Sequence, residues 1–369
     1  MSLLHHIGGP RPVRAGTGGR GTGRRGGVRS RRWARLGAAV AGLLTAAMVS
    51  PTGSAPGASG PRVYVSNEFG GSLTVIDAAG GRVTGTIPIG PAGTARPRGM
   101  ALSPDGSTLY IAVTDPWPNR RESPYKFIWV VDAGTGKVRA KYPCGSDPER
   151  LAVTPDGRHL YCSNEDNVTA TVFDLGTGKV IAAIPVGIEP EGVAVSPDGR
   201  WVYVTAETSN TVTVIDTATR RPIKNLLVGE RPRVVVFAPN GARAYASAET
   251  AGTLSVIDPV RHEVIQTIEL GRDSKPVGVS VAPDSARVYV VGGRCNCLFV
   301  IDAPRGAVIA AVTQKMGRRP WGVAVAPDGR KIYTANGRSD DVSVVDAASL
   351  RVVATIRAGR GAHSVVAGH

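Results

Sequence analysis

From residue 62 onward, short runs of β-branched and aromatic residues alternate with polar turns, and the alternation itself repeats. An apolar pair followed by aspartate closes one run in each repeat: Val75-Ile76-Asp77, Val130-Val131-Asp132, Val172-Phe173-Asp174, Val214-Ile215-Asp216, Val256-Ile257-Asp258, Val300-Ile301-Asp302 and Val344-Val345-Asp346. These seven copies are spaced 55, 42, 42, 42, 44 and 44 residues apart. Six of them follow a Pro-Asp-Gly element or a close variant, at Pro104, Pro155, Pro197, Pro239, Pro283 and Pro327. Proline presets φ, the aspartate or asparagine caps the turn, and glycine accepts a positive φ, so these elements are hairpin turns. Residues 192–229 show one whole unit. Gly192–Ser196 is strand a, Trp201–Thr205 strand b, Thr211–Ile215 strand c and Pro222–Val228 strand d. Four short strands per unit, recurring about every 43 residues with no helical periodicity after Val49, predict an all-β fold, a seven-bladed β-propeller of four-stranded antiparallel blades.

The blade count fixes how the ring closes. Strands b, c and d occur seven times, but only six a–b turns exist. The missing strand a lies at the far end of the chain, where Ala362–Ala367 follows Gly359 as the other a strands follow their glycines. It is expected to pair beside Arg62–Ser66 and so to remove the open sheet edges.

Residues 1–60 read as a different segment, a signal for export and a small-residue linker, with the propeller spanning 61–369. Ser30-Arg31-Arg32 resembles a twin-arginine signal, although Trp33 follows the pair directly. Leu36–Val49 is an uncharged apolar run of fourteen residues. That is short of the roughly 20 that span a bilayer and suits a signal h-region, with an uncleaved anchor as the alternative. No cysteine precedes Cys144, which excludes a lipoprotein anchor at this signal. The leader also explains most of the formal charge of +15. It holds nine of the 44 basic residues and none of the 29 acidic ones, so the rest carries 35 against 29, a net of +6. Without a Lys/Arg run along one face, nucleic-acid binding is not expected.

Strand b carries a further pattern: Tyr64-Val65-Ser66-Asn67, Tyr161-Cys162-Ser163-Asn164, Tyr203-Val204-Thr205-Ala206 and Tyr333-Thr334-Ala335-Asn336. On these stretches residues 62–369 resemble the YVTN-type β-propeller repeat proteins. Within that group they look most like the propellers associated with PQQ-dependent catabolism, through Asp147-Pro148-Glu149, Ser163-Asn164-Glu165-Asp166-Asn167, Glu189-Pro190-Glu191-Gly192, Arg231-Pro232-Arg233, and Asn336-Gly337 followed by Asp341-Val342-Ser343-Val344. The resemblance implies an accessory to a quinoprotein dehydrogenase system. Cys295-Asn296-Cys297 and the long loop near Trp117 depart from it.

In a four-strand meander the b–c loops and d–a linkers share one face of the disc, the hairpin turns share the other, and strand a lines the channel. One position just before each strand a holds Arg98, Glu149, Glu191, Arg233, Val277, Trp321 and His363. The end of each strand b holds Glu68, Thr114, Glu165, Glu207, Glu249, Gly293 and Gly337. Both series fall on the loop face, as two rings around the channel mouth. Convergent polar groups in a concavity are a candidate ligand site. The same residues are better suited to riveting blade to blade through Arg–Glu pairs, since ion-pair networks mimic sites. The Asp of each c–d turn reads as a turn cap, and the strand-b tyrosines as packing between blades.

Complete catalytic or metal constellations are not visible. Only His363 of the histidines reaches the loop face, so a base with an orienting partner is missing, as are three convergent zinc ligands. Cys144 and Cys162 replace valines of the next blade and read as small apolar packing, or as a pair to oxidise after export. A disulfide across Cys295 and Cys297 is expected to be strained, and a two-thiolate clip lacks a third ligand. Covalent c-type haem is excluded by the absence of Cys-x-x-Cys-His. Between strand-b end and strand-c aspartate, six blades take nine positions and blade 2 takes eighteen, Thr114 to Asp132. The insert carries Trp117, Arg120, Arg121 and Tyr125, residue types that anchor interfaces. The expectation is therefore an exported, non-catalytic, monomeric binding or scaffold propeller, with no cofactor, no metal and no membrane insertion after signal cleavage. It would take a protein partner or small ligand at Arg98, Glu149, Glu191, Arg233, Trp321, His363, Glu68, Glu165, Glu207, Glu249 and the insert. The alternative is a propeller lactonase or lyase with an acidic mouth.

Overall fold

The computed structural model describes residues 60–115 and 126–368. These residues form seven four-stranded antiparallel sheets. Blade 4 is typical: strand a is Pro190–Val195, b Trp201–Ala206, c Thr211–Asp216 and d Arg221–Leu227. Blade 1 is completed from the end of the chain. Ala362–Ala367 pairs antiparallel with Arg62–Asn67, ahead of Ser72–Asp77 and Arg82–Pro88, as the strand count requires. Strands a of neighbouring blades lie against one another around the axis.

Burial follows from this stacking. Strands b and c are covered on both faces, as in Tyr203 against Phe237 of blade 5 on one side and Val202 within the cluster of blade 3 on the other. Strands buried on both sides tolerate continuous apolar runs, which is why Val-Ile-Asp recurs without a polar alternation. Strand d is the outer edge and turns one side chain inward, namely Ile87, Ile184, Leu226, Ile268, Val312 or Ile356 in six of the blades. The strand-b tyrosines are buried between blades. Tyr64 donates to the Ala133 carbonyl of blade 2 at 2.8 Å, and Tyr203 meets His262 Nδ1 of blade 5 at 2.8 Å.

The turns behave as their sequences predict. Asp174 Oδ1 accepts from the Thr177 N–H, and Asp198 Oδ1 from the Arg200 N–H, on the face away from the candidate site. In every blade the c–d pairing slips by one residue at the same step, for example between Val214 and Ile215. A bulge repeated at one place adds twist to each blade in the same sense.

Candidate functional site at the channel mouth

A second bulge places the candidate residues. Pairing of strands a and b skips a residue in all seven blades, as between Pro190↔Ala206 and Val193↔Val204. In blade 4 the extra residues are Glu191 and Gly192, opposite the single Thr205. The ring residues are therefore not ahead of strand a, as the sequence reading has it; they lie inside it, on its bulge. A bulge re-aims a side chain and leaves an N–H unpaired. In four blades a hydroxyl of strand b repairs this. Ser163, Thr205, Ser247 and Ser66 accept from the N–H groups of Arg150, Gly192, Val234 and Ser364. The same hydroxyls donate to the carbonyls of Glu191, Arg233, Val277 and Arg98 in the next blade. Glu191 and Arg233 are thus each held by their own blade and by the blade before it.

The residue two positions earlier completes the mouth. It precedes the proline that opens strand a and is charged in six blades: Arg96, Asp147, Glu189, Arg231, Lys275 and Arg319. Five of these, all but Arg96, have φ between 52 and 58°, the left-handed region. Such a backbone costs a non-glycine residue about 1–2 kcal/mol, and persists where the surroundings impose it. Here the carbonyl of each accepts an N–H from the end of strand b, as in Glu165 to Asp147 at 3.0 Å and Glu207 to Glu189 at 2.9 Å. The two rings are stitched together by backbone.

Most of the acids are matched by arginine. Arg233 contacts Glu191, Glu207 and, at 2.8 Å, Glu249. Arg231 lies 2.6 Å from Glu207, and Arg319 3.0 Å from Glu249. Arg96 bonds Glu68, and Arg98 lies 2.5 Å from Glu149 and 3.5 Å from Glu68. Burial works to raise the carboxyls of Glu68, Glu191 and Glu249, but the adjacent positive charges outweigh it and hold all three below the ordinary range. Beside this network Trp321 stacks on His363 with ring centroids 5.5 Å apart, and the Arg319 guanidinium lies 4.4 Å over the Trp321 ring. Burial holds the His363 imidazole down to about 3, so it is neutral at physiological pH. Arg98, Arg319, Trp321 and His363 line an open cavity of about 450 Å³. A larger depression of about 710 Å³ lies on the opposite face between blades 6 and 7, but its Asp284, Asp328 and Asp346 are used in capping turns.

Blade 3 differs. Asp147, Glu149 and Glu165 bring carboxylate oxygens within 4.8 Å of one another. Burial raises all three carboxyls, with repulsion from nearby acids adding to it against the pull of Arg98: Glu149 lies well above the usual range, and Glu165 at about 7. Blade 3 also carries Arg150 at the second bulge position, where blades 2, 4, 6 and 7 have glycine. At Gly192 an added Cβ would meet the Arg233 carbonyl at 2.6 Å. Burial lowers the Arg150 guanidinium, while Glu191 and Glu149 oppose that. Arg98 of blade 2 and Arg233 of blade 5 add to the lowering.

The structure therefore gathers Arg98, Glu149, Glu191, Arg233, Trp321, His363, Glu68, Glu207 and Glu249 into one mouth, with Glu165 in the acidic group beside it. Trp117, Arg120, Arg121 and Tyr125 lie outside the described residues. Sequence reasoning missed Arg96, Asp147, Arg150, Arg231 and Arg319 as site residues. The signal was present in the charged-Pro-charged steps of blades 2 to 5 and in the one arginine among glycines. The reading that no three potential metal-ligating groups converge is corrected by Asp147, Glu149 and Glu165; the Asp147 carboxylate comes from the left-handed residue before proline. Of the cysteines, only the Cys295 and Cys297 pair departs from expectation, whereas Cys144 and Cys162 pack in an apolar cluster as their valine-like places predict. Cys295 and Cys297 form a disulfide, their Cα atoms 5.3 Å apart across Asn296, whose φ of 53° folds the turn back on itself. Cys144 and Cys162 are free thiols with sulfurs 3.3 Å apart.

Comparison with known proteins fits this geometry. Residues 149–232 match the model of the cytochrome D1 heme domain family. A stretch of 110 residues is 32% identical to antigen Lp49 of Leptospira interrogans, covering 28% of this chain and 23% of that protein, so the chain spans about a quarter of the length of this curated relative. Among solved structures, hydrazine synthase of Kuenenia stuttgartiensis superposes with a TM-score of 0.64 at 25% identity, over 73% of this chain and 88% of that one. A functionally unknown protein from Desulfotomaculum acetoxidans reaches a TM-score of 0.71 at 16% identity, over 84% and 99%. Seven sheets in a closed ring, a repeat in register with them and these matches together make the chain a member of the β-propeller proteins, of the seven-bladed kind.

Proposed function

We propose that this chain is an exported binding or scaffold propeller that receives a partner or small ligand at its channel mouth. The observation that carries the reading is the cavity flanked by Arg98, Arg319, Trp321 and His363 on a face whose backbone is stitched ring to ring. Guanidinium groups over an indole favour a planar, negatively charged group in the occupant. A preorganised wall also lowers the ordering cost of binding. Trp117, Arg120, Arg121 and Tyr125 of the blade 2 insert are residue types that would add anchoring contacts to a protein partner. The likeness to the PQQ-associated propellers supports the finer reading of an accessory to a quinoprotein dehydrogenase.

The rival reading is a hydrolytic or lyase site, and one observation bears on it. His363 is neutral, and its Nδ1 is buried without a hydrogen-bond partner. A base held at about 3 is nevertheless a weak proton acceptor at neutral pH, which favours binding over general-base chemistry. The test is capture from an extracytoplasmic extract on the immobilised protein, read by mass spectrometry. Trp321→Ala, and separately a blade 2 loop cut to the nine-position step of the other blades, should each reduce recovery of the captured species several-fold. Capture unchanged by both variants refutes this surface.

A further inference from the structure

The acids of the mouth divide into two classes. Glu68, Glu191, Glu207 and Glu249 each contact arginine from one or more blades. Asp147, Glu149 and Glu165 crowd together, and their nearest positive partner is Arg98, which also serves Glu68 and Glu191. We propose that Asp147, Glu149 and Glu165 bind one hard divalent cation on the mouth wall of blade 3.

Crowded acids alone do not make a site; the unmet bonding around these does. Glu149 is 1% exposed, and neither of its carboxylate oxygens has a hydrogen-bond donor in line. Arg98 Nη2 approaches Oε2 as a charge without completing a hydrogen bond, and Oε1 has no donor at all. Asp147 Oδ1 is likewise buried and unbonded. Next to Asp147, at the end of strand b of blade 2, the Thr114 hydroxyl is 0% exposed and lies close enough to the Asp147 carboxyl to work against the rise that burial causes. Buried polar atoms are hydrogen-bonded in the large majority of cases. Three carboxylate oxygens left without a hydrogen bond, beside Arg98 and Arg150 whose Nε atoms are likewise unbonded, leave room for a centre that accepts oxygen lone pairs.

The supports are rigid. Asp147 sits on the left-handed residue before Pro148, Glu149 on the strand-a bulge and Glu165 at the end of strand b. The Glu165 N–H to Asp147 carbonyl bond at 3.0 Å ties the first to the third. Three carboxylates and a hydroxyl form an all-oxygen donor set, which suits calcium, magnesium or manganese rather than zinc or copper. No occupant of the mouth is needed for this site, so it stands or falls separately from the binding function proposed above.

The test titrates metal-free, full-length protein with Ca²⁺, Mg²⁺ and Mn²⁺ by calorimetry, and follows the melting temperature alongside. The wild type should bind one equivalent of at least one of these ions and melt higher in its presence. Glu165→Gln and Asp147→Asn should weaken that binding at least tenfold and abolish the rise. Asp328→Asn, on the opposite face, should keep both. Absence of saturable binding of all three ions to the wild type overturns the proposal whatever the variants do. So does a Glu165→Gln protein that binds as tightly as the wild type.

Discussion

His363 shows how a single residue is defined by where the chain puts it. It comes from the last strand, stacks on Trp321 of blade 7 and lies in the fields of Glu68, Arg98, Arg150 and Glu191. Burial dominates and holds its folded value at about 3, against an ordinary 6.5. Between these values the unfolded chain binds the extra proton, so this residue's contribution is whole above pH 6.5 and is lost as pH falls below it. One such proton corresponds to about 1.4 kcal/mol per pH unit. Urea denaturation of the wild type between pH 6.5 and 5 should therefore show a steeper loss of stability on acidification than His363→Asn, by roughly that slope. Equal slopes in the two proteins would show that the imidazole is not held neutral by the fold.

At the level of strands, the most informative element is Ala362–Ala367. It supplies strand a of a blade whose other strands lie nearly three hundred residues earlier in the chain, and its Ser364 N–H bonds Ser66. Ala362 and Val365 are buried in the cluster shared by blades 1 and 7. Removing residues 361–369 takes away a side chain such as Val365, worth roughly 2 kcal/mol on burial. It also strips the inner edge of blade 1 of its ladder partner and leaves polar backbone unpaired. The truncated protein should melt at least several degrees lower by calorimetry. A melting temperature equal to that of the intact chain would mean that the ring does not depend on this closure.

On the scale of the whole molecule, the leader and the disc carry different information. The disc is close to neutral for its size, whereas residues 1–60 concentrate nine arginines ahead of an apolar run. We propose that this arrangement directs export rather than nucleic-acid binding. N-terminal sequencing of extracytoplasmic material should find a mature chain beginning near residue 58. Recovery of the full-length chain in the cytoplasm alone would refute export.

The repeat, the blade count, the turn face and the closing strand were all legible in the sequence, because each depends on local chemistry. Proline and glycine at fixed offsets make hairpins, and a strand missing at one end of the chain appears at the other. The ring positions Arg98, Glu149, Glu191, Arg233, Trp321 and His363 were legible for the same reason, since a seven-fold repeat converts chain spacing into angle around an axis. What the spacing leaves open is which side chains meet. The bulge in strand a that aims the ring inward shows only as a slip of pairing between two strands. The left-handed residues before proline take their conformation from a backbone bond to the end of strand b. Whether a glutamate is ionised beside arginine, like Glu249, or crowded among other acids, like Glu149, depends on charges from neighbouring blades and on the water that stacking excludes. Coulomb energy and desolvation act through space at distances the linear order does not encode, and only the closed ring sets them.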